Sequence, residues 1–486
     1  MNLHFISFII GWILNFQGIF LLVPSLVALY YRETSGFAFV ITAVICLVTG
    51  FLLTRKKPAN KAFYAKEGFI SVAACWIALS ITGALPFVFS GEIPSIVDAL
   101  FETVSGFTTT GASILNDVEA MSKCCIFWRS FTHWLGGMGV LVFVLCVLPL
   151  AGGDNMHIMK AESPGPSVNK LVPRVRDTAM ILYGIYIVLT IIEGILLLIF
   201  GMSGFDAITT SLATAGTGGF GIKHDSMGSY SVAIQNIVAV FMMIFGVNFS
   251  IYFLILVRKP KQILKSDELR AYLGIVVLAT VAIGINSREY FASIWSAFQQ
   301  AFFQVTSIMT TTGFATTDFN LWPSFSKTIL VLLMFTGACA GSTSGGIKVS
   351  RIVIMFKDIK NEIASFIHPR SVQTLRMDDK KVSNEVVRTV KTFFMLYLVI
   401  FATSLLLISF ENFSFETNFT AVSATLNNVG PGLDGVGPME SFAKFNPFSK
   451  IILIFDMLAG RLELFPMLIL FSPGIWRGSR KRIFSK

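Results

Sequence analysis

A helix must stay apolar for about 20 residues to cross the hydrocarbon core of a bilayer. This chain offers ten runs of that order, at 5–30, 36–54, 68–90, 125–150, 178–201, 232–257, 269–286, 327–340, 391–410 and 450–472. Only 14% of its positions are charged and its mean hydropathy is +0.72, whereas roughly a quarter of residues are charged in soluble domains. The pattern predicts an all-α polytopic membrane protein and argues against a water-soluble fold. The first run has no basic region before it and is too long for a cleavable signal, so it reads as a retained helix.

Basic residues set the orientation, because Lys and Arg stay in cytoplasmic loops when helices insert. With the N-terminus inside, segments 55–66, 151–177, 258–270, 348–391 and 477–486 hold 29 of the 38 Lys and Arg. Both termini are then cytoplasmic, in a multi-pass protein of the cell membrane. The net charge of +10 is accounted for as a topogenic signal, not as a nucleic-acid surface. The six cysteines lie in or at the ends of apolar runs and read as core packing. No histidine has a second His or a Cys at i+3 or i+4, which argues against a zinc site.

Between the spans, one short segment occurs four times. The windows are DALFETVSGFTTTG at 98–111, DAITTSLATAGTGG at 206–219, QAFFQVTSIMTTTG at 300–313 and TNFTAVSATLNNVG at 417–430. All are too short and too polar to span, and all end in glycine: Gly111, Gly219, Gly313 and Gly430. Each follows one apolar run and precedes another, so the order is outer helix, re-entrant segment, inner helix, four times around a central pore. Two transmembrane helices (1–66) come first, and the repeats occupy 67–157, 158–265, 266–370 and 371–486.

Non-helical backbone at membrane depth survives only where it is buried in protein or lines a water-filled path. Four such segments imply a shared axis. A short helix aimed at that axis turns its negative dipole end toward the cavity, and the residues after it offer carbonyl oxygens to a dehydrated cation. The last three positions of each window carry no carboxylate, so a filter of charged rings is not indicated.

These residues resemble the TrkH type within the Trk/Ktr/HKT superfamily of potassium uptake proteins. The likeness runs through FETVSGFTTTGAS (101–113), WRSFTHWLGGMG (128–139), GGFGIKHDSMG (218–228), TTTGFATTDFNLWP (310–323), GSTSGGIK (341–348) and NNVGPGL (427–433). It implies potassium as the substrate, with no covalent cofactor. The selectivity filter would consist of Thr109, Thr110 and Gly111; Thr217, Gly218 and Gly219; Thr311, Thr312 and Gly313; and Asn428, Val429 and Gly430. After the glycine stand Ala112, Phe220, Phe314 and Pro431, so fourfold symmetry is approximate. The resemblance also implies a homodimer with a pore in each chain, and a TrkA-like cytoplasmic nucleotide-binding regulatory subunit. For that subunit 348–391 is the natural docking segment.

Two glycine motifs invite a different reading. Residues 216–221 fit G-x-G-x-x-G but lie inside a repeat window, and 341–348 nearly fits a phosphate loop but has Ile347 where that loop needs lysine. A break in the third inner helix accounts better for the second. Gly337, Gly341, Ser342, Thr343, Ser344, Gly345 and Gly346 are poor helix formers in an apolar run. A polar loop there is either a gate beneath the filter, as the resemblance also implies, or a packed kink.

Arg461 sits in the last apolar run, where an unpaired charge costs at least about 2.5 to 3.5 kcal/mol. Asp456 and Glu463 lack the helical spacing to reach it, which leaves backbone carbonyls of the 337–346 loop or another helix. It either holds the loop or makes a structural ion pair. Glu193 and Asp456 are the carboxylates within spans that a sodium- or proton-coupled symporter would need. No constellation of catalytic residues suggests an enzyme. The function expected is gated potassium uptake, with coupled symport as the alternative.

Overall fold

Backbone in lipid must satisfy its hydrogen bonds internally, and the chain does so almost entirely with helices. The computed structural model describes residues 2–56, 58, 65–137, 139, 175–369 and 373–472. Helices α1 (Leu3–Phe20) and α2 (Leu22–Tyr31) form one span, and α3 (Gly36–Thr54) returns along it. Then come α4 (Ala65–Ser90), α5 (Ile96–Phe107) and α6 (Lys123–Gly137). The second group is α7 (Val175–Ile199), α8 (Gly204–Gly216), α9 (Val232–Phe245) and α10 (Phe249–Leu256), with a short α11 (Pro260–Leu264) after it. In the third, α12 (Asp267–Asn286), α13 (Ile294–Met309) and α14 (Ser324–Thr336) lead to α15 (Val349–Ile367). A two-residue hairpin, Arg376–Met377 with Lys380–Lys381, precedes α16 (Asn384–Ile408), α17 (Phe415–Leu426), α18 (Pro447–Arg461) and α19 (Phe465–Phe471).

The short helices α5, α8, α13 and α17 begin alike. Ser95, Ser203, Ser293 and Ser414 each cap one by accepting a backbone N–H with the side-chain oxygen, which satisfies a donor that no intrahelical carbonyl can reach. Each inner helix packs on the short helix of the next group: α6 on α8, α9 on α13, α14 on α17, and α18 back on α5. The four groups therefore close into a ring.

Not all ten apolar runs are straight spans. Among the described residues six helices are long and apolar enough by themselves, or seven if one bent pair counts as a span. That pair is α9 and α10, which meet at 89°, with Asn248 capping the second piece through Ser250 N at 2.9 Å. The run at 327–340 stops at Thr336 and the run at 450–472 breaks after Arg461, where Glu463 and Leu464 are left-handed. Of these interruptions the sequence reading anticipated only the one in the run at 327–340. Most of 125–150 beyond α6, most of the basic segment 151–177, and 477–486 fall outside the described residues. Cys46, Cys75, Cys124, Cys125 and Cys339 are buried, and no disulfide joins them among the described residues. Large apolar side chains such as Phe37, Val48 and Leu278 face outward, as lipid requires.

Candidate ion pathway

Each short helix ends in the same backbone figure. Thr109, Thr217, Thr311 and Asn428 are left-handed, with φ of 54°, 54°, 56° and 56°. The next residue then donates its N–H to the carbonyl five back: Thr110 to Ser105 (2.9 Å), Gly218 to Ala213 (2.9 Å), Thr312 to Ser307 (2.8 Å) and Val429 to Ala424 (2.8 Å). This is a Schellman closure, normally built on glycine. Here β-branched threonine fills it three times, at a conformational cost that its burial in the shared axis must offset.

The glycines that follow show how the four strands meet. Gly111, Gly219, Gly313 and Gly430 all have positive φ. A β-carbon added to Gly111 would come within 3.0 Å of the Gly218 carbonyl oxygen; on Gly219 it would meet that of Thr312, on Gly313 that of Val429, and on Gly430 that of Thr110. Glycine is required there on both counts. The contacts run from the first window to the second, third and fourth and back to the first, so the carbonyls preceding the four glycines surround one axis.

On one side of this ring lies a cavity of about 280 Å³, lined by all four glycines and by Ser113, Asn116 and Glu440 among others. On the other side lies the break between α14 and α15. Gly337 ends α14 with φ 67°, and residues 337–348 are non-helical. Gly345 N donates to Thr311 Oγ1 at 2.6 Å, and a β-carbon at Gly345 would strike the Asn427 carbonyl. The segment thus abuts the ring from within. Thr109 Oγ1 and Asn428 Oδ1, in the layer below the glycines, are buried oxygens with no hydrogen-bond partner among the described residues.

Arg461 reaches this segment from the end of α18. Its two terminal nitrogens donate to Thr343 O and to Gly136 O, both at 2.7 Å. Glu463 pairs instead with Arg351 on α15. Lys348 turns back to Ser344 O.

The family model for the TrkH cation transport proteins matches residues 35–477. The chain belongs to the TrkH family. It is 38% identical to the Trk system potassium uptake protein TrkH of Escherichia coli K12, over 98% of this chain and 100% of that protein. It is 34% identical to the TrkG protein of the same strain, over 98% and 99%. The crystal structure of the potassium transporter TrkH from Vibrio parahaemolyticus superposes with a TM-score of 0.88 at 36% identity, covering 98% of this chain and 100% of the other. This TrkH-family chain is accordingly a polytopic all-α membrane protein of a transporter family, not an enzyme.

Behind the ring the TrkH-family chain carries buried polar chemistry that the sequence reading missed. Arg129 Nε pairs with Glu102 at 2.7 Å, with both side chains all but fully buried. The Glu102 carboxylate also accepts from Ser113 Oγ and Ile114 N, while Arg129 lies 4.0 Å over the Phe220 ring. His133 Nδ1 is 2.9 Å from Gly106 O and its Nε2 accepts from Phe220 N at 3.3 Å; a proton on Nδ1 satisfies both. These residues strap the first window to the second. Asp456 accepts from Ser404 Oγ on α16 at 2.7 Å, and Glu193 is buried on α7. Among the described residues neither oxygen of the Glu193 carboxylate, nor the second oxygen of Asp456, meets a hydrogen-bond partner.

Proposed function

We propose that this chain moves potassium into the cell, as the pore-forming subunit of a Trk-type system. The observation that carries the proposal is the closed ring of carbonyls in front of Gly111, Gly219, Gly313 and Gly430. Thr109, Thr110 and Gly111, Thr217, Gly218 and Gly219, Thr311, Thr312 and Gly313, and Asn428, Val429 and Gly430 form the filter. Their carbonyls, with the free oxygens of Thr109 and Asn428, replace the hydration shell of the ion. The four short helices aim their negative ends at the same axis and lower the energy of a cation there.

The segment Gly337, Gly341, Ser342, Thr343, Ser344, Gly345 and Gly346 is the gate, closed as it stands against Thr311 and pinned by Arg461. Control comes from a cytoplasmic nucleotide-binding subunit acting on a homodimer, with both termini on the cytoplasmic side. Coupled symport has less support, because neither Glu193 nor Asp456 is among the residues that line the cavity at the four glycines, and Asp456 is engaged by Ser404 of α16.

Serine at any one of the four glycines brings a side chain against the neighbouring carbonyl, and rubidium uptake or its potassium-over-sodium competition should fall in all four variants. A glycine whose serine variant matches wild type in both measures does not line the filter.

A further inference from the structure

We infer that Glu268 is a positioning residue that holds the 337–348 segment closed and ties it to the cytoplasmic hairpin at 376–381. Helix α15 begins badly on its own: its N-cap is Lys348, with φ 83° and no side-chain cap bond. Glu268, near the start of α12 and 93% inaccessible to solvent, supplies what is missing. Its Oε1 accepts from Ser350 N in the first turn of α15 at 3.2 Å, and from Ala340 N in the first part of the segment at 2.6 Å. One carboxylate oxygen therefore staples the two ends of the break together. The carboxylate favours both bonds, since an ionised acceptor roughly doubles a neutral hydrogen bond and a negative charge suits a helix N-terminus. Neighbouring backbone bonds, Cys339 N to Gly246 O and Phe249 N to Gly341 O, both at 3.1 Å, seat the same stretch on the bend between α9 and α10.

The residue before Glu268 is gripped from the cytoplasm. Asp267 N donates to Asp378 Oδ1 at 2.8 Å, Asp378 N returns a bond to Asp267 Oδ2 at 3.1 Å, and Lys357 of α15 pairs with that oxygen at 2.6 Å. Lys265 pairs with Asp379 at 2.7 Å. A pull on the hairpin turn is thereby delivered, one residue later in the chain, to the carboxylate that clamps the segment. This role rests on the reading of 337–348 as the gate, and deepens it.

The test measures labelled rubidium flux into liposomes with the purified full chain alone. Glu268→Ala should raise flux about tenfold, the effect of losing one well-made bond to a charged group, with potassium-over-sodium competition unchanged. Glu268→Gln should raise it less. Asp378→Ala should raise flux in the wild-type background and add nothing in Glu268→Ala, a non-additivity that a merely structural role would not produce. Deletion of 341–345 serves as reference. If the deletion raises flux while both Glu268 variants stay at the wild-type level, the clamp is refuted and the gate stands. If the deletion also leaves flux unchanged, the gate reading fails and takes the clamp with it. Should Glu268→Ala not assemble, the isosteric Gln variant and its cycle with Asp378→Ala decide.

Discussion

Replacing Arg461 by alanine removes the charged hydrogen bonds to Thr343 O and Gly136 O, of which the one to Thr343 O holds the 337–348 segment. The other ends on Gly136, within α6 and outside the segment. Bonds to charged groups are worth about 1.5 to 3 kcal/mol, so the open-to-closed ratio should rise on the order of ten- to a hundredfold at 1.4 kcal/mol per decade. Loss of a positive charge next to the ion path acts in the same direction. The assay is rubidium flux at an imposed inside-negative potential in liposomes. Arg461→Lys separates the two effects: it keeps the charge but cannot span both carbonyls with a planar fork. A tether predicts that Lys behaves nearer to Ala, whereas a purely electrostatic barrier predicts that it behaves like wild type. Flux at the wild-type level in Arg461→Ala, from protein that remains folded, would refute the assignment of Arg461 to the gate.

Two further outcomes follow from the same geometry. Glu102→Ala strands the buried Arg129 and should cost about 3 to 5 kcal/mol of stability, read as a large fall in the melting temperature of the detergent-solubilised protein, with Glu102→Gln milder. Asp434, in the loop after the fourth window, caps the region of α17 through Ser414 and Thr417. The Ser414 hydroxyl, then that of Thr417, holds its carboxyl below the usual carboxylate range. A depressed folded pKa stabilises above the unfolded value, near 4, and that contribution is lost as pH falls through the folded one. Melting temperature should therefore drop on acidification below about pH 4, and Asp434→Asn should flatten that part of the curve.

How much of this was legible follows from how local each signal is. The spans and the four windows could be read directly, because apolar length and a repeated glycine are properties of contiguous residues. The serine caps were there to be seen three residues before three of the windows. In the third, Ser293 stands further upstream because α13 is longer, which hides the common register. The left-handed Thr109, Thr217 and Thr311 run against propensity and could not have been inferred, since only the crowding of four strands on one axis imposes that conformation. The bend at 246–248 carries a single glycine and an asparagine, too little to outweigh an otherwise apolar run. Glu102 and Arg129 lie 27 residues apart, and Glu268 bonds to residues 72 and 82 positions away. Such pairs exist only once the ring has closed.

Because the ring is made by one chain, each of its quadrants has its own address in the gene. In a channel of four identical subunits a filter mutation is always fourfold. Here Asn428 can replace threonine in one quadrant alone, where its Nδ2 bonds to Thr110 Oγ1 at 2.9 Å and to Met457 O at 2.9 Å, while the other three keep their hydroxyls. With the ring as the proposed filter, selectivity can drift by quarters: substitutions too disruptive in four copies are sampled singly, and the pore can be retuned toward another ion through viable intermediates that a homotetramer never passes through.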